Sequence, residues 1–408
     1  MRTHIAALAM ISVLALACAS PSVPGSAPVP SSALSGPSTS APTDEPTPTL
    51  QPDQTFDWRP IGEPVAFRGA SVRFVAVGSA FVAVGCVLGL EICDAPAIWT
   101  SLDGRDWSGP TELPLLPGEL PGPATAAVAW QSGLVVAGHV GRGDRFHVAL
   151  WFAPDGQTFE RVPDDASFAD ASIVEVLELN GSLVAVGSGL QLHYSGFKAW
   201  RSEDGFTWTY TDEGATGEGA TGDYVPSGAV GIEGGVVAWG ACSICVPETA
   251  FWRSVDGITW TGARRELEGE FAHATALGVT HAGLVAFGTT GVDPTSPTAW
   301  SLPNGAGAWQ ADDPPPQPER TTITTHVLVG HGAVLAGTSH ASDSQTGLIW
   351  LRGPDDVAWR EPITAPGVSV VTLLQDPDRP ADIILVGQVD RNGRQVLAVW
   401  SGSVDWAP

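Results

Sequence analysis

Trp200-Arg-Ser-Glu-Asp-Gly-Phe-Thr-Trp208 and Trp252-Arg-Ser-Val-Asp-Gly-Ile-Thr-Trp260 are one phrase written twice, and its recurrence decides the fold. The leading aromatic returns at Trp99, Trp151, Trp200, Trp252, Trp300, Trp350 and Trp400, at intervals of 48 to 52 residues. A second aromatic follows each, at Trp107, Phe159, Trp208, Trp260, Trp309, Trp359 and Trp406. Ahead of the pair lies a small-apolar alternation closed by Gly, as in SLVAVG (182–187), GVVAWG (235–240) and GLVAFG (283–288). A period near fifty with strand-like content means a propeller, solenoid or array. In the third copy, Ile173–Leu179, Ser182–Gly187, Phe197–Ser202 and Phe206–Thr211 read as strands A to D, with turns at Asn180-Gly181 and Asp204-Gly205. One such sheet cannot bury both faces, but seven packed radially can. The expected fold class is all-β, a seven-bladed β-propeller over residues 55–408. An open solenoid would need polar end caps; here Phe56-Asp-Trp58 and Val404-Asp-Trp406 instead compete to supply the outer strand of the last blade.

Composition removes several function classes. Among 408 residues, 44 are acidic and 19 basic, a formal charge of −25, and Lys198 is the sole lysine. Phosphate binding needs clustered Lys and Arg, so nucleic acid is excluded as a partner. Sixteen Trp and 48 Gly argue against a coiled coil or a fully disordered chain. Fourteen of the Trp fall in the repeat frame, with Trp130 and Trp239 outside it, so the aromatic content is assigned to blade packing.

The N-terminus gives a cellular address. Arg2 precedes an apolar run from Ile5 to Ala17. At 1.5 Å per residue this run reaches roughly 20 Å, short of the ~30 Å hydrocarbon core, and it reads as a signal peptide over residues 1–17. Its Leu-Ala-Leu-Ala-Cys ending resembles a bacterial lipoprotein signal, which implies lipid on Cys18; plain secretion is the alternative. Residues 18–54 are Ser, Pro, Thr, Ala and Gly with few large apolar side chains, too few to offset ordering entropy, and are expected to form a disordered tether. The protein is then expected at the outer face of the bacterial cytoplasmic membrane, touching it only through the anchor, as a monomer.

The turn between the paired aromatics resembles the Asp-box (BNR) repeat of the sialidase-like superfamily. Ser101, Asp103, Gly104 and Trp107 match it, as do Ser202, Asp204, Gly205 and Trp208, and Ser254, Asp256, Gly257 and Trp260, each with one residue fewer between Asp and Gly. Asp155-Gly156 with Phe159 lacks the Ser, and Asn304-Gly305 replaces Asp-Gly. The resemblance implies architecture. Its Ser and Asp oxygens are expected to accept backbone N–H groups within the turn, with Gly taking φ > 0.

Alternating strands put A–B and C–D turns on one face and B–C and D–A connections on the other. The second set is longer, at 86–95, 138–147, 187–197, 240–249, 288–298, 337–347 and 387–395, and function sits on long loops held by a rigid frame. On that face lie the candidate ligand residues His139, Arg142, Asp144, Arg145, His147, His193, Tyr194, His340 and Asp343. His326 and His331 fall near an A–B hairpin instead. Cys242-Ser-Ile-Cys245 alone reads as a redox pair or half a zinc site. In the blade frame, Cys86 and Cys93 lie in the B–C segment of blade 1 and Cys242 and Cys245 in that of blade 4, too far apart for all four thiolates to share one zinc ion. Two local disulfides, Cys86–Cys93 and Cys242–Cys245, are expected, with no metal or cofactor.

Two functions follow. The first is a non-catalytic propeller binding a protein or glycan through the B–C/D–A face. The second, which the resemblance implies, is a divergent Asp-box glycoside hydrolase of exo-sialidase type. Such an enzyme needs an arginine cluster, a Tyr–Glu nucleophile pair and an acid; Tyr194, Tyr210 and Tyr224 are the only tyrosines, and no Glu pairs with them in an evident frame.

Overall fold

The computed structural model describes residues 59–404 except 61–72, 78–79, 89–92, 105, 190–195, 212–223, 243–247, 265, 281–282, 291–295, 304–306, 313–314, 317–320, 330–331, 342–343, 354–358, 377–378, 380 and 392–393. All of them belong to the compact unit Gln54–Pro408. The expected signal peptide, Cys18 and tether lie outside the described residues.

Seven antiparallel four-stranded sheets form the unit, and no α-helix occurs among the described residues. The blades span 73–112, 124–161, 171–210, 224–264, 273–312, 321–366 and, with one strand from the other end of the chain, 368–403. In the first six, sequence order A to D is also spatial order. The A strands of successive blades lie against each other, and that of blade 7 lies against that of blade 1, so the ring is closed. The outer strand of blade 7 is Arg59–Pro60, paired with Ser401 and Trp400. The N-terminal end thus completes the last blade. Val404 cannot compete, because its N–H goes to the Ala381 carbonyl (2.8 Å) and its side chain is buried between blades 6 and 7. Trp58 and Trp406 lie outside the described residues.

The core is seven apolar wedges, one at each blade–blade boundary. This explains the SLVAVG phrase. Strand B is flanked by A and C and covered on both faces, so alternate residues serve different wedges. Leu183 and Ala185 enter the wedge with blade 2, and Val184 and Val186 enter the one with blade 4. The C-strand Trp faces the preceding blade, and its indole N–H donates to the connector entering its own blade. Trp151 donates to the Pro114 carbonyl (2.7 Å), Trp200 to Ser167 Oγ (3.1 Å) and Trp300 to the Glu268 carbonyl (2.9 Å). Each buried aromatic removes about 150–250 Å² from water, roughly 4–6 kcal/mol at 25 cal/mol/Å² as an upper bound.

The C–D turns are closed by side chains. Asp204 Oδ1 accepts the N–H groups of Phe206 (2.9 Å) and Thr207 (2.6 Å), Ser202 Oγ accepts that of Gly205 (2.9 Å), and Trp208 Nε1 donates to the Gly205 carbonyl (3.2 Å). The turn at Ser254-Val255-Asp256-Gly257 repeats these bonds. The Thr207 N–H foremost holds the Asp204 carboxyl below its ordinary value. Because the carboxylate engages Phe206 and Thr207, the outer strand of blade 3 is Trp208–Tyr210, shorter than the expected 206–211.

The Gly that closes each strand-B phrase, with the strand itself running on past it, has a steric cause. Strand A carries a β-bulge in blades 2 to 7, as between Ile173 and Glu175. A Cβ built on Gly187, Gly240, Gly288 or Gly337 would stand 2.3 Å or less from a carbonyl oxygen of the neighbouring strand A, and one on Gly138 would stand 2.5 Å from that of Pro123, just before strand A. Gly187→Ala should therefore cost about 1–3 kcal/mol, read as a lowered denaturation midpoint. Gly231→Ala, at a site with nothing within 4 Å, should stay within about 0.5 kcal/mol. Equal effects would refute the steric account.

Candidate functional site

The segment expected as a long B–C loop at 138–147 is instead a tight hairpin. Strand B of blade 2 runs Gly133–Arg142 and strand C runs Arg145–Ala153, joined by Gly143-Asp144, with Gly143 supplying φ +66°. The B–C segments of blades 6 and 7 are also ladders, with Ala341 pairing Ser344 and Arg391 pairing Arg394. In blade 2 the neighbouring connectors widen the extension. Leu120 pairs with Gly141 through two backbone bonds (2.7 and 2.8 Å), Gly141 pairs with Phe146, and the Asp170 N–H reaches the Phe146 carbonyl (2.8 Å). Residues facing each other across a ladder share a face, and neighbours along a strand alternate.

One face of this extension is ionic. The side chain of Glu119 is wholly buried; its Oε1 meets Arg161 Nη2 at 3.0 Å and Arg142 Nη2 at 3.5 Å, and its Oε2 accepts the Leu116 N–H (2.8 Å). Arg142 also binds Asp164. Arg161 is 3% exposed; burial pushes its guanidinium down and Glu119 opposes the shift. His147 Nδ1 lies 4.0 Å from Asp164 Oδ1, beyond hydrogen-bond reach. Arg145 pairs with Asp170 at 3.0 Å.

The other face carries Leu120 (59% exposed), bare Gly141 and Phe146 (54% exposed) in one row. The Phe146 ring stands edge-on to the half-buried His139, with centroids 5.8 Å apart. Burial lowers the His139 pKa, so the ring is neutral at pH 7.

Of the expected ligand residues, His139, Arg142, Asp144, Arg145 and His147 thus share one hairpin of blade 2, with His139 on the face opposite Arg142, Arg145 and His147. His340 does not join them: it sits exposed at the end of strand B of blade 6, because its blade is on another side of the ring. His193, Tyr194 and Asp343 lie outside the described residues. Glu119, Arg161, Leu120 and Phe146 were not anticipated. The alternation His139-Val-Gly-Arg142 and Arg145-Phe-His-Val148 about a Gly-Asp turn is the signal that marks them. Cys86 and Cys93 are joined in a disulfide, with Cα atoms 5.6 Å apart. Cys242 is also disulfide-bonded, and Cys245 lies outside the described residues.

A second feature lies between blades 4 and 5. A cavity of about 330 Å³, lined by Glu248, Thr249, Leu267, Gly269, Glu270, Phe271 and Ala272, falls in the lower range of small-ligand pockets. Beside it the buried Tyr224 hydroxyl donates to Glu248 Oε2 (2.9 Å), with the Arg264 guanidinium 5.6 Å from the Tyr224 ring centroid. Burial, then Glu248, raises the Tyr224 pKa. A Tyr–Glu pair therefore exists, contrary to the sequence reading, because the outer connections bring together residues 24 apart. Among the described residues no group of three or more His, Cys, Asp or Glu could hold a metal ion.

His326 lies in the inner strand Thr321–Val329 of blade 6, three residues before its A–B hairpin, with its ring against Phe287 and over Gly278 of blade 5; His331 lies outside the described residues.

No family model matches the chain, and no curated protein matches it. Solved structures do. A polysaccharide lyase of family PL25, an ulvan lyase bound to a GlcA–Rha3S saccharide, is 11% identical, with a TM-score of 0.51 over 85% of this chain and 95% of that one. The chain shares the propeller fold. A sialidase from Trypanosoma rangeli is 12% identical (TM-score 0.45, 85% of this chain, 57% of that one). An α-L-arabinofuranosidase from Fusarium graminearum is 10% identical (TM-score 0.45, 79% and 89%). At these identities the likeness concerns fold alone.

Two outcomes are expected. Glu119→Ala strands the buried Arg161 guanidinium, while Arg142 keeps Asp164, and should cost about 3–5 kcal/mol in denaturant unfolding; a change under about 1 kcal/mol would show the network to be inert. Burial pushes His326 down to about 4, whereas unfolded His titrates near 6.5. The unfolded chain then binds the extra proton, so this stability is complete above pH 6.5 and is lost as pH falls toward 4, by up to about 3 kcal/mol. His326→Leu should flatten the stability profile in that window.

Proposed function

We propose that the protein is a surface-tethered, non-catalytic propeller that binds a protein or glycan ligand through the B–C/D–A face, presented at the outer face of the bacterial cytoplasmic membrane by lipid on Cys18. We infer also that the Ser-x-Asp-Gly turns are Asp-box repeats in a scaffolding role. The observation that carries the binding reading is the closed ion network of blade 2. Arg142 and Arg161 converge on the buried Glu119, and Arg145 is taken by Asp170. Arginines that clamp a substrate carboxylate must keep their forked donors open, whereas these are engaged within the chain. The network braces a raised surface with exposed apolar side chains, which is what a binding module requires.

One observation favours a hydrolase as the second reading. Tyr224 and Glu248, hydrogen-bonded at 2.9 Å beside a cavity, have the residue types of an activated nucleophile. The readings separate in one experiment. The intact protein should capture a ligand on a glycan array or from a library of extracellular peptides, and should turn over none of a panel of fluorogenic sialosides, arabinosides and galactosides. Tyr224→Phe should leave that binding unchanged. Turnover that falls at least about 100-fold in Tyr224→Phe would replace the first reading with the second.

A further inference from the structure

Resting on the binding reading above, we propose that the row Leu120–Gly141–Phe146 on the raised edge of blade 2 is a stacking platform for a ring of a neutral saccharide. The geometry supplies the parts. Phe146 presents an aromatic ring that is 54% exposed, Leu120 stands two strands away at 59%, and Gly141 between them has no side chain, leaving a shallow notch floored by backbone. A Cβ on Gly141 would come within 3.2 Å of Leu120 Cβ, so any larger residue would fill the notch.

Size and charge select the occupant. A pyranose has an apolar face of C–H groups, polarised so that they are drawn to the electron-rich face of an aromatic ring, and a rim of hydroxyls. Asp144, in the turn between the two strands, can accept hydrogen bonds from sugar hydroxyls, and the neutral His139 imidazole can both donate and accept them. A stable protein partner would bury about 800 Å² on each side. The platform offers one aromatic and one Leu, about what one or two sugar rings cover. Arg142 and Arg145 are engaged by Asp164, Glu119 and Asp170. No cation of this hairpin is left to pair an anionic sugar, and a chain of charge −25 repels anionic polymers.

Affinity electrophoresis of the intact protein tests this in gels containing β-glucan, xylan or galactomannan, with alginate as the anionic counterpart. Retardation is expected in at least one neutral gel, reduced at least tenfold in apparent affinity by Phe146→Ala and by Gly141→Val, and retained by Phe146→Trp. Near-UV circular dichroism of each variant confirms the fold, and the half-exposed Phe146 makes its removal tolerable. Retardation in alginate alone, or in none of the gels, overturns the saccharide assignment. Retardation that neither variant alters overturns this location while leaving the broader binding reading intact. Failure to bind any glycan or peptide on the arrays would instead remove the binding reading itself.

Discussion

The reach of each C-strand Trp into the preceding boundary organises the ring. A single side chain does two things there: its ring fills the wedge between blades, and its N–H anchors the chain segment entering its own blade. Trp151 holds Pro114, Trp200 holds Ser167 and Trp300 holds Glu268. A four-stranded blade has two apolar faces and no neighbour of its own, so it is stable only when both boundaries are filled. Anchoring the connectors also fixes the base of the loops on the B–C/D–A face. The platform of blade 2 inherits its rigidity from that anchoring, since Pro114 and Ser167 belong to the two connectors that flank its hairpin.

Much of this architecture was legible because packing imposes a period. The Trp spacing, the strand-B alternation and its closing Gly each answer to a constraint repeated in every blade, and Asn180-Gly181 takes the positive φ values (+52° and +81°) that its two-residue hairpin demands. Repetition turns a weak local signal into a strong one. Strand C of blade 3 is Phe197–Ser202, as expected, while strand D is shorter than 206–211 because a carboxylate takes the N–H groups of Phe206 and Thr207.

The site was only partly legible, for the opposite reason. His139, Arg142 and Arg145 read as polar loop residues, but Glu119 and Arg161 come from flanking segments, and Glu119 joins Arg142 to Arg161 only in three dimensions. Whether an arginine is open or engaged is decided by its partners, and sequence does not specify these. Tyr224 and Glu248 illustrate the same limit: nothing in either local phrase announces the other. His340, chosen by equivalent loop position, is separated from blade 2 by the ring itself.

The two-residue strand Arg59–Pro60 gives the ring a history as well as a shape. It is among the first folded residues to be synthesised, and its partners Trp400 and Ser401 are among the last. Nearly the whole chain must be in place before this pairing can form, and closing so long a loop costs entropy that six earlier boundaries do not ask for. Blades 1 to 6 are each built from neighbouring sequence, so an incomplete chain exposes two unmatched blade faces and leaves Arg59–Pro60 without its partner strand Arg394–Ser403. Completion is thus sensed at one short ladder, where the two ends of the domain report each other's arrival.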